Sequence, residues 1–362
     1  FSAGLLASDH GAELVTGDEL CQVAVELQIP SLAVLAVELV GASRLTGLVA
    51  YCEAHAKLGG GHAGDGELSE RLLQVVMICE DAASTHALLD AIRVFAPGSG
   101  IEALVACVAS FQAYMYGKAR RALEAFLAAV EDVSEGGDEL ELSLEWYRKA
   151  GWKSLRRVLA VAPTRYEKQV LLELVAGSGA WRVVDQGAPE GEVGLGVLWK
   201  IHASLAGAGL GEAVEPDAAP EVIIGMLMER GAFDAARGVA ALSGRPHDAI
   251  TLSEVGMLVA AASANGWMYV SESGSEREGL WRQCNEVFVK HETSPSHAGE
   301  FFYSLADSIE PQPGPDELLV LYSLALEWFT AGAGSEGGKP VAFLDSLQTE
   351  VWTLTYLPES YN

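Results

Sequence analysis

The chain has 362 residues, 50% of them hydrophobic, with 50 acidic side chains against 23 basic ones and a formal net charge of −27. That length can bury a sizeable core, either as two or three domains or as one elongated repeat array. A field so strongly negative repels phosphate backbones and anionic lipid, which excludes general nucleic-acid binding or membrane coating.

The cysteines Cys21, Cys52, Cys79, Cys107 and Cys284 are odd in number, widely spaced and free of any C-x-x-C pair. No N-x-S/T sequon occurs either, so a reducing compartment with buried free thiols is expected. The first residue is Phe, so the chain is expected to start inside a longer protein or after processing. Only a brief Leu5-Leu6 pair precedes Asp9 and His10, so no secretory signal is expected in this stretch. The longest apolar stretches, Ser31–Val40 and Ala103–Tyr116, are shorter than the roughly 18 residues of a membrane span.

Taken in chain order, apolar residues recur at helical spacing almost everywhere. Leu72, Leu73, Val76, Met77 and Cys79 lead on to Leu88, Leu89 and Ile92 in steps of three and four. Ala and Leu are abundant, and no period-2 run of β-branched residues appears. Thr164-Arg-Tyr-Glu167 and Ser275-Glu-Arg-Glu278 fit capping boxes. The run Val222–Ile224 continues into Met226–Met228 and reads as helix. Pro30, Pro97, Pro163, Pro220, Pro246, Pro295 and Pro315 fall between periodic segments. The pattern predicts about fifteen helices of three to four turns each.

Gly and acid concentrate in Gly59–Gly66, Glu135–Glu139, Gly187–Gly196 and Gly332–Gly338, whose composition predicts flexible surface insertions. A faint internal repeat is centred on Gly117, Gly151, Gly179 and Gly231, each followed by small or aromatic residues and a base. A helix ending at each Gly and a new one starting just after it would give helical hairpins. No 34-residue period is visible. The expected fold is therefore all-α, an irregular α-solenoid of stacked antiparallel helix pairs. Its expected organisation is an N-terminal array over 1–186, a Gly-rich linker or weakly helical connection over 187–219, and a C-terminal array over 220–362.

No motif asks for catalysis. Gly191–Gly196 and Gly207-Ala-Gly209-Leu-Gly211 follow no strand, and no G-x-x-x-x-G-K-[ST] exists, so no nucleotide loop is expected. The histidines His10, His55, His62, His86, His202, His247, His291 and His297 form no H-E-x-x-H. His291 and His297 lack a neighbouring third ligand and read as solvated loop residues. Ser178 lies between two glycines but in no nucleophile elbow. We therefore expect no enzyme, no catalytic residue, no metal and no cofactor. A helical hydrolase or lyase with a dispersed site would instead need a polar pocket where His and carboxylates converge.

Two clusters remain. Trp281, Phe288, Phe301, Phe302, Tyr303, Trp328, Phe329 and Trp352 crowd the C-terminal part. Trp281, Cys284 and Phe288 share one helical face, which favours core over a ligand groove. Over 145–168, Arg148, Lys149, Lys153, Arg156, Arg157, Arg165 and Lys168 face only Glu145 and Glu167. If Gly151 ends a helix, Arg148 and Lys149 complement its dipole, whereas Lys153, Arg156 and Arg157 fall in the early turns of the next helix. That trio shares one face. It reads either as a solvated face or as an exposed stripe docking an acidic protein partner or a phosphoinositide headgroup.

From about residue 221 onward the chain resembles the spatacsin family. The resemblance is carried by MLMERGAFDAARGVAAL (226–242), LWRQCNEVFVKH (280–291), HAGEFFYSLAD (297–307), PDELLVLYSLALEWF (315–329) and FLDSLQTEVWTLTYL (343–357). The Gly-rich insert 332–338 departs from the family pattern. The resemblance implies an interior piece of a long α-solenoid on the cytoplasmic side of late endosomes and lysosomes. It implies a role in autophagic lysosome reformation and endosome-to-Golgi retrieval, with spastizin, a FYVE-domain protein, and the fifth adaptor-protein complex as partners. Membrane association would be peripheral, through those partners, and the family carries over no catalytic residues. The alternative is a generic helical-repeat interaction adaptor of an unrelated pathway.

Overall fold

The structure is a computed structural model that describes residues 16–56, 67–78, 81–134, 140–265, 267, 275–310, 312–334 and 338–356. Among the described residues there are helices and turns but no strand. The all-α, helical-repeat expectation holds.

The chain divides into two compact units, one of residues 1–202 with 215–217 and the other of 203–214 with 218–362. The first contains α1 (Gly17–Glu26), α2 (Pro30–Leu35), α3 (Arg44–Ala56), α4 (Glu67–Ile78), α5 (Ala82–Phe95), α6 (Gly100–Gln112), α7 (Tyr116–Ser134), α8 (Leu144–Val161), α9 (Arg165–Ser178) and α10 (Trp181–Val184). The division falls inside α11 (Leu195–Gly207). The second unit contains α12 (Pro220–Glu229), α13 (Phe233–Ser243), α14 (Asp248–Ala264), α15 (Ser275–Lys290), α16 (Pro295–Ser308), α17 (Pro315–Ala331) and α18 (Val341–Tyr356).

Consecutive helices pair. α6 packs against α7, α12 against α13, and α16 against α17. The short links return each chain segment against the helix just completed. Pro30, Pro220, Pro295 and Pro315 each take the first helical position, where the missing N–H costs nothing. Thr16 and Glu19 build a full capping box at the start of α1. Thr164 caps α9 by accepting from the Glu167 amide at 3.3 Å. The Ser275 side chain, proposed as a cap, lies outside the described residues, as do Gly59–Gly66, Glu135–Glu139 and Cys79.

The four glycines separate into different roles. Gly231 has φ +71° and stands in the α12–α13 turn, two residues before buried Phe233, as the hairpin motif requires. Gly179 ends α9 in the same left-handed conformation. Gly117 instead lies in the first turn of α7. Gly151 is also no boundary. It lies within the 18-residue α8, where a Cβ would come within 3.1 Å of the Phe126 ring and 3.3 Å of Val184. Its role is close packing, so the predicted break at 151 is corrected to a continuous helix.

The Gly-rich stretch 187–196 is not a loose insertion either. Asp185 reaches across it and accepts from the Leu195 amide at 2.8 Å and the Gly196 amide at 2.9 Å, capping α11 from ten residues away. Burial raises the Asp185 pKa, and these two amides hold it down in opposition. A Cβ on Gly196 would come within 2.8 Å of the Trp181 indole, and one on Gly194 would strike the Asp185 carboxylate. These glycines are close-approach residues.

Each unit has its own core. The first is built from many helices and includes Leu48, Ile92, Leu104, Phe126 and Tyr147. In the second, Trp281, Cys284, Phe288, Phe302 and Phe329 are buried. Phe288 meets Phe302 edge-on at 5.6 Å and Trp328 at 6.4 Å. Trp281 donates its indole N–H to Glu317 at 2.9 Å, and Glu317 also pairs with Arg277 at 2.9 Å. Trp328 is half-buried and donates to Asn285 at 2.7 Å. Trp352 breaks the predicted pattern. It is 55% exposed and stacks on Tyr356, because the buried positions of α18 are Leu347 and Leu354. The described cysteines Cys21, Cys52, Cys107 and Cys284 are free and buried.

Phe288→Ala should lower the stability of the second unit by about 3–5 kcal/mol, whereas Trp352→Ala should stay within about 0.5 kcal/mol. Denaturant midpoints decide this, and equal midpoints would refute the core assignment. Gly196→Val should destabilise by about 1–3 kcal/mol through collision with Trp181. Gly225→Ala, at an α12 position with open space around its Cα, should stabilise by about 0.5–1 kcal/mol. Thermal unfolding of both variants checks the pair, and a stabilised Gly196→Val protein would contradict the packing.

Candidate docking surface

Ser143 starts α8 by accepting from the Trp146 amide at 3.1 Å. The helix then passes between neighbours on several sides. Trp146, Tyr147, Ala150, Gly151, Trp152, Ser154, Leu155, Val158 and Leu159 are all buried. The bases of 145–168 therefore occupy the margins of a largely buried helix. Arg148, Lys149, Lys153, Arg156 and Arg157 are half-buried. Lys153, Arg156 and Arg157 are brought together on one α8 face, in the second half of the helix and not in early turns.

Their partners differ. Lys149 crosses to Glu70 on α4 at 3.0 Å, beside the Trp146 indole donating to the Ser69 carbonyl at 2.6 Å. Lys168 pairs with Asp217 at 2.8 Å and lies 3.7 Å from Glu215. Both are structural ties. Among the described residues no ion pair holds Lys153 or Arg156, and the Nη1 of Arg156 is buried without an acceptor. Near Lys168, burial pushes the His202 pKa down while its ring nitrogen faces the Glu215 carbonyl at 3.2 Å.

Beside this face lies a shallow cleft with about 20 Å³ of room for water-sized groups. Val76 and Met77 of α4, Leu88 of α5 and Val108 of α6 supply apolar wall, and Ser154 and Arg157 enter from α8. Among the described residues Arg157 is the only charged one in the lining. Nothing in the linear pattern announces this cleft, because its walls come from four helices. The one local signal is Ser154, a hydroxyl on an otherwise apolar face.

Among the described residues no group of three or more His, Cys, Asp or Glu is placed to hold a metal ion. His297 contacts Asp248 at 2.9 Å, and His55 stacks on Tyr51 with ring centroids 6.3 Å apart. Burial lowers the pKa of His291, assisted by Arg237 and Lys290. Among the described residues no helix is long and apolar enough to cross a membrane.

No protein-family model and no solved structure matches the chain. The chain is similar to a Dictyostelium discoideum protein, at 34% identity over 110 residues, which is 30% of this chain and 3% of that protein. It is also similar to mouse spatacsin, at 28% identity over 134 residues, which is 36% of this chain and 5% of spatacsin. The likeness is distant and partial, and the aligned stretch spans a small fraction of either relative's length.

Proposed function

We propose that this chain is a helical scaffold segment without a catalytic site of its own, serving membrane trafficking by docking protein partners. The observation that carries the reading is the stretch 28% identical to mouse spatacsin, in a chain whose described residues are built of helices and turns. By the same resemblance the setting is the cytoplasmic side of late endosomes and lysosomes, in autophagic lysosome reformation. The partners are a spastizin-like FYVE-domain protein and the fifth adaptor-protein complex, and membrane contact is peripheral through them.

The α8 face is the docking surface in this reading. A basic margin in a chain of net charge −27 attracts acidic partners while the remaining surface repels them. Lys149 and Lys168 are tied to carboxylates of the chain itself, and Lys153, Arg156 and Arg157 share one α8 face, which makes them the trio to test.

Affinity capture of the full-length native protein, read by mass spectrometry, should recover a FYVE-domain protein and adaptor-complex subunits. Reversal of Lys153, Arg156 and Arg157 to Glu should reduce that recovery. The loss should be greater at low ionic strength, because exposed charges are screened beyond about 8 Å at physiological salt. Recovery of enzymes of one metabolic reaction, with undiminished binding by the folded triple variant, would overturn the proposal.

A further inference from the structure

Hydroxyls within these helices commonly satisfy themselves on the preceding turn. Ser178 donates to the Leu174 carbonyl at 2.9 Å, and Ser243 donates to the Val239 carbonyl at 2.8 Å. Thr85 donates to the Asp81 carbonyl at 2.8 Å. Ser154 departs from this habit. It is 5% exposed, and among the described residues its Oγ has no hydrogen-bond partner, the Ala150 carbonyl one turn back included. The hydroxyl lines the shallow cleft between α4, α5, α6 and α8, where the room is about 20 Å³. An ordered water needs about 10–15 Å³ of such space, so one water fits and nothing much larger does.

We infer that this cleft is a site for a single ordered water, bonded to the Ser154 hydroxyl and bridging α8 to α5 and α6. Room alone would not require a water, because an apolar cavity of this size stays dry. The polar lining supplies the requirement. Thr85 of α5, Gln112 of α6, and Ser154 and Arg157 of α8 all border the space. A held water takes roughly two to four polar partners, and these residues offer complementary ones. Ser154 can donate and accept, and the Gln112 amide can do both. Thr85 has already directed its proton to Asp81, so toward a further partner it can only accept. A water, with two protons and two lone pairs, matches such a mixture. The Arg157 guanidinium beside it disfavours a metal or ammonium ion in the same place. The inference is independent of the docking reading. It assigns Ser154 a role in the packing of α8 that needs no partner protein.

Crystals of the 362-residue chain should show a solvent peak within about 3.2 Å of Ser154 Oγ. In crystals of Ser154→Val, whose second methyl takes up the space, that peak should be gone. Thermal unfolding of Ser154→Ala gives a second, independent reading through its sign. Ala is the better helix former, so if the hydroxyl has no partner its removal raises the unfolding temperature on two counts. A water-bridged hydroxyl opposes that gain, and Ser154→Ala should lower the unfolding temperature by about 1–3 °C. Where Ser154→Val does not fold, the parent crystal and Ser154→Ala decide. A raised unfolding temperature in Ser154→Ala would overturn the inference. So would a crystal in which the Oγ turns onto the Ala150 carbonyl and no solvent peak stands beside it. An anomalous peak at this position after bromide soaking would assign a halide and overturn it as well.

Discussion

A long helix can run through the interior of a helical array only where its neighbours can come close to its backbone, and in the first unit that happens at Gly151. The Phe126 ring and Val184 come within 3.1 and 3.3 Å of where a Cβ would sit, so α7, α8 and α10 pack closely there. Trp146, Tyr147, Trp152 and Leu155 then fill the remaining sides. The burial of this one helix fixes the rest of the surface. Its cations are pushed to the margins, and Ser154 is held below the surface beside α4, α5 and α6. Gly187 adds a second such approach, since a Cβ there would strike the Arg148 backbone. Close packing at small residues is the energetic logic of both, because interiors packed at crystal-like density do not tolerate an added methyl group.

This packing explains which parts of the fold were legible in the linear pattern. Helical spacing, Pro at first positions and the Gly231 turn are local signals, and each depends on a few neighbouring residues. The structure agrees with all three. Gly151 and Gly196 carry the same letter as Gly231 but a different physics. Their requirement comes from Phe126 and Trp181, which stand 25 and 15 residues away in sequence. A glycine demanded by a distant side chain looks, in sequence, like a glycine demanded by its own φ. The same limit applies to Trp352. Periodicity places it on a helix, but the exposed face of α18 is decided by where Leu347 and Leu354 meet their neighbours.

For the candidate site the divide is similar. The basic reversal over 145–168 is visible by counting charges, and Lys153, Arg156 and Arg157 do share a face of one helix. What counting cannot supply is the fate of each cation. Lys149 finds Glu70 across 79 residues and Lys168 finds Asp217 across 49. Nor does the sequence show the cleft, since α4, α5, α6 and α8 each contribute only a few of its atoms.

The half-burial of the cations bears on how such a surface recognises anything. A fully exposed lysine in a chain of net charge −27 is surrounded by water and screened, and its pairing with an incoming carboxylate is worth little. A guanidinium whose stem lies along an apolar wall has already lost part of its hydration and rotational freedom. Arg156, with one nitrogen buried and lacking an acceptor, illustrates this state. Less remains to be lost when an acidic group arrives, so preorganisation makes the encounter more favourable than the charge count alone implies. The surrounding negative field then acts as a filter. It repels acidic ligands from most of the surface and leaves the margin of α8 as a place where one can settle.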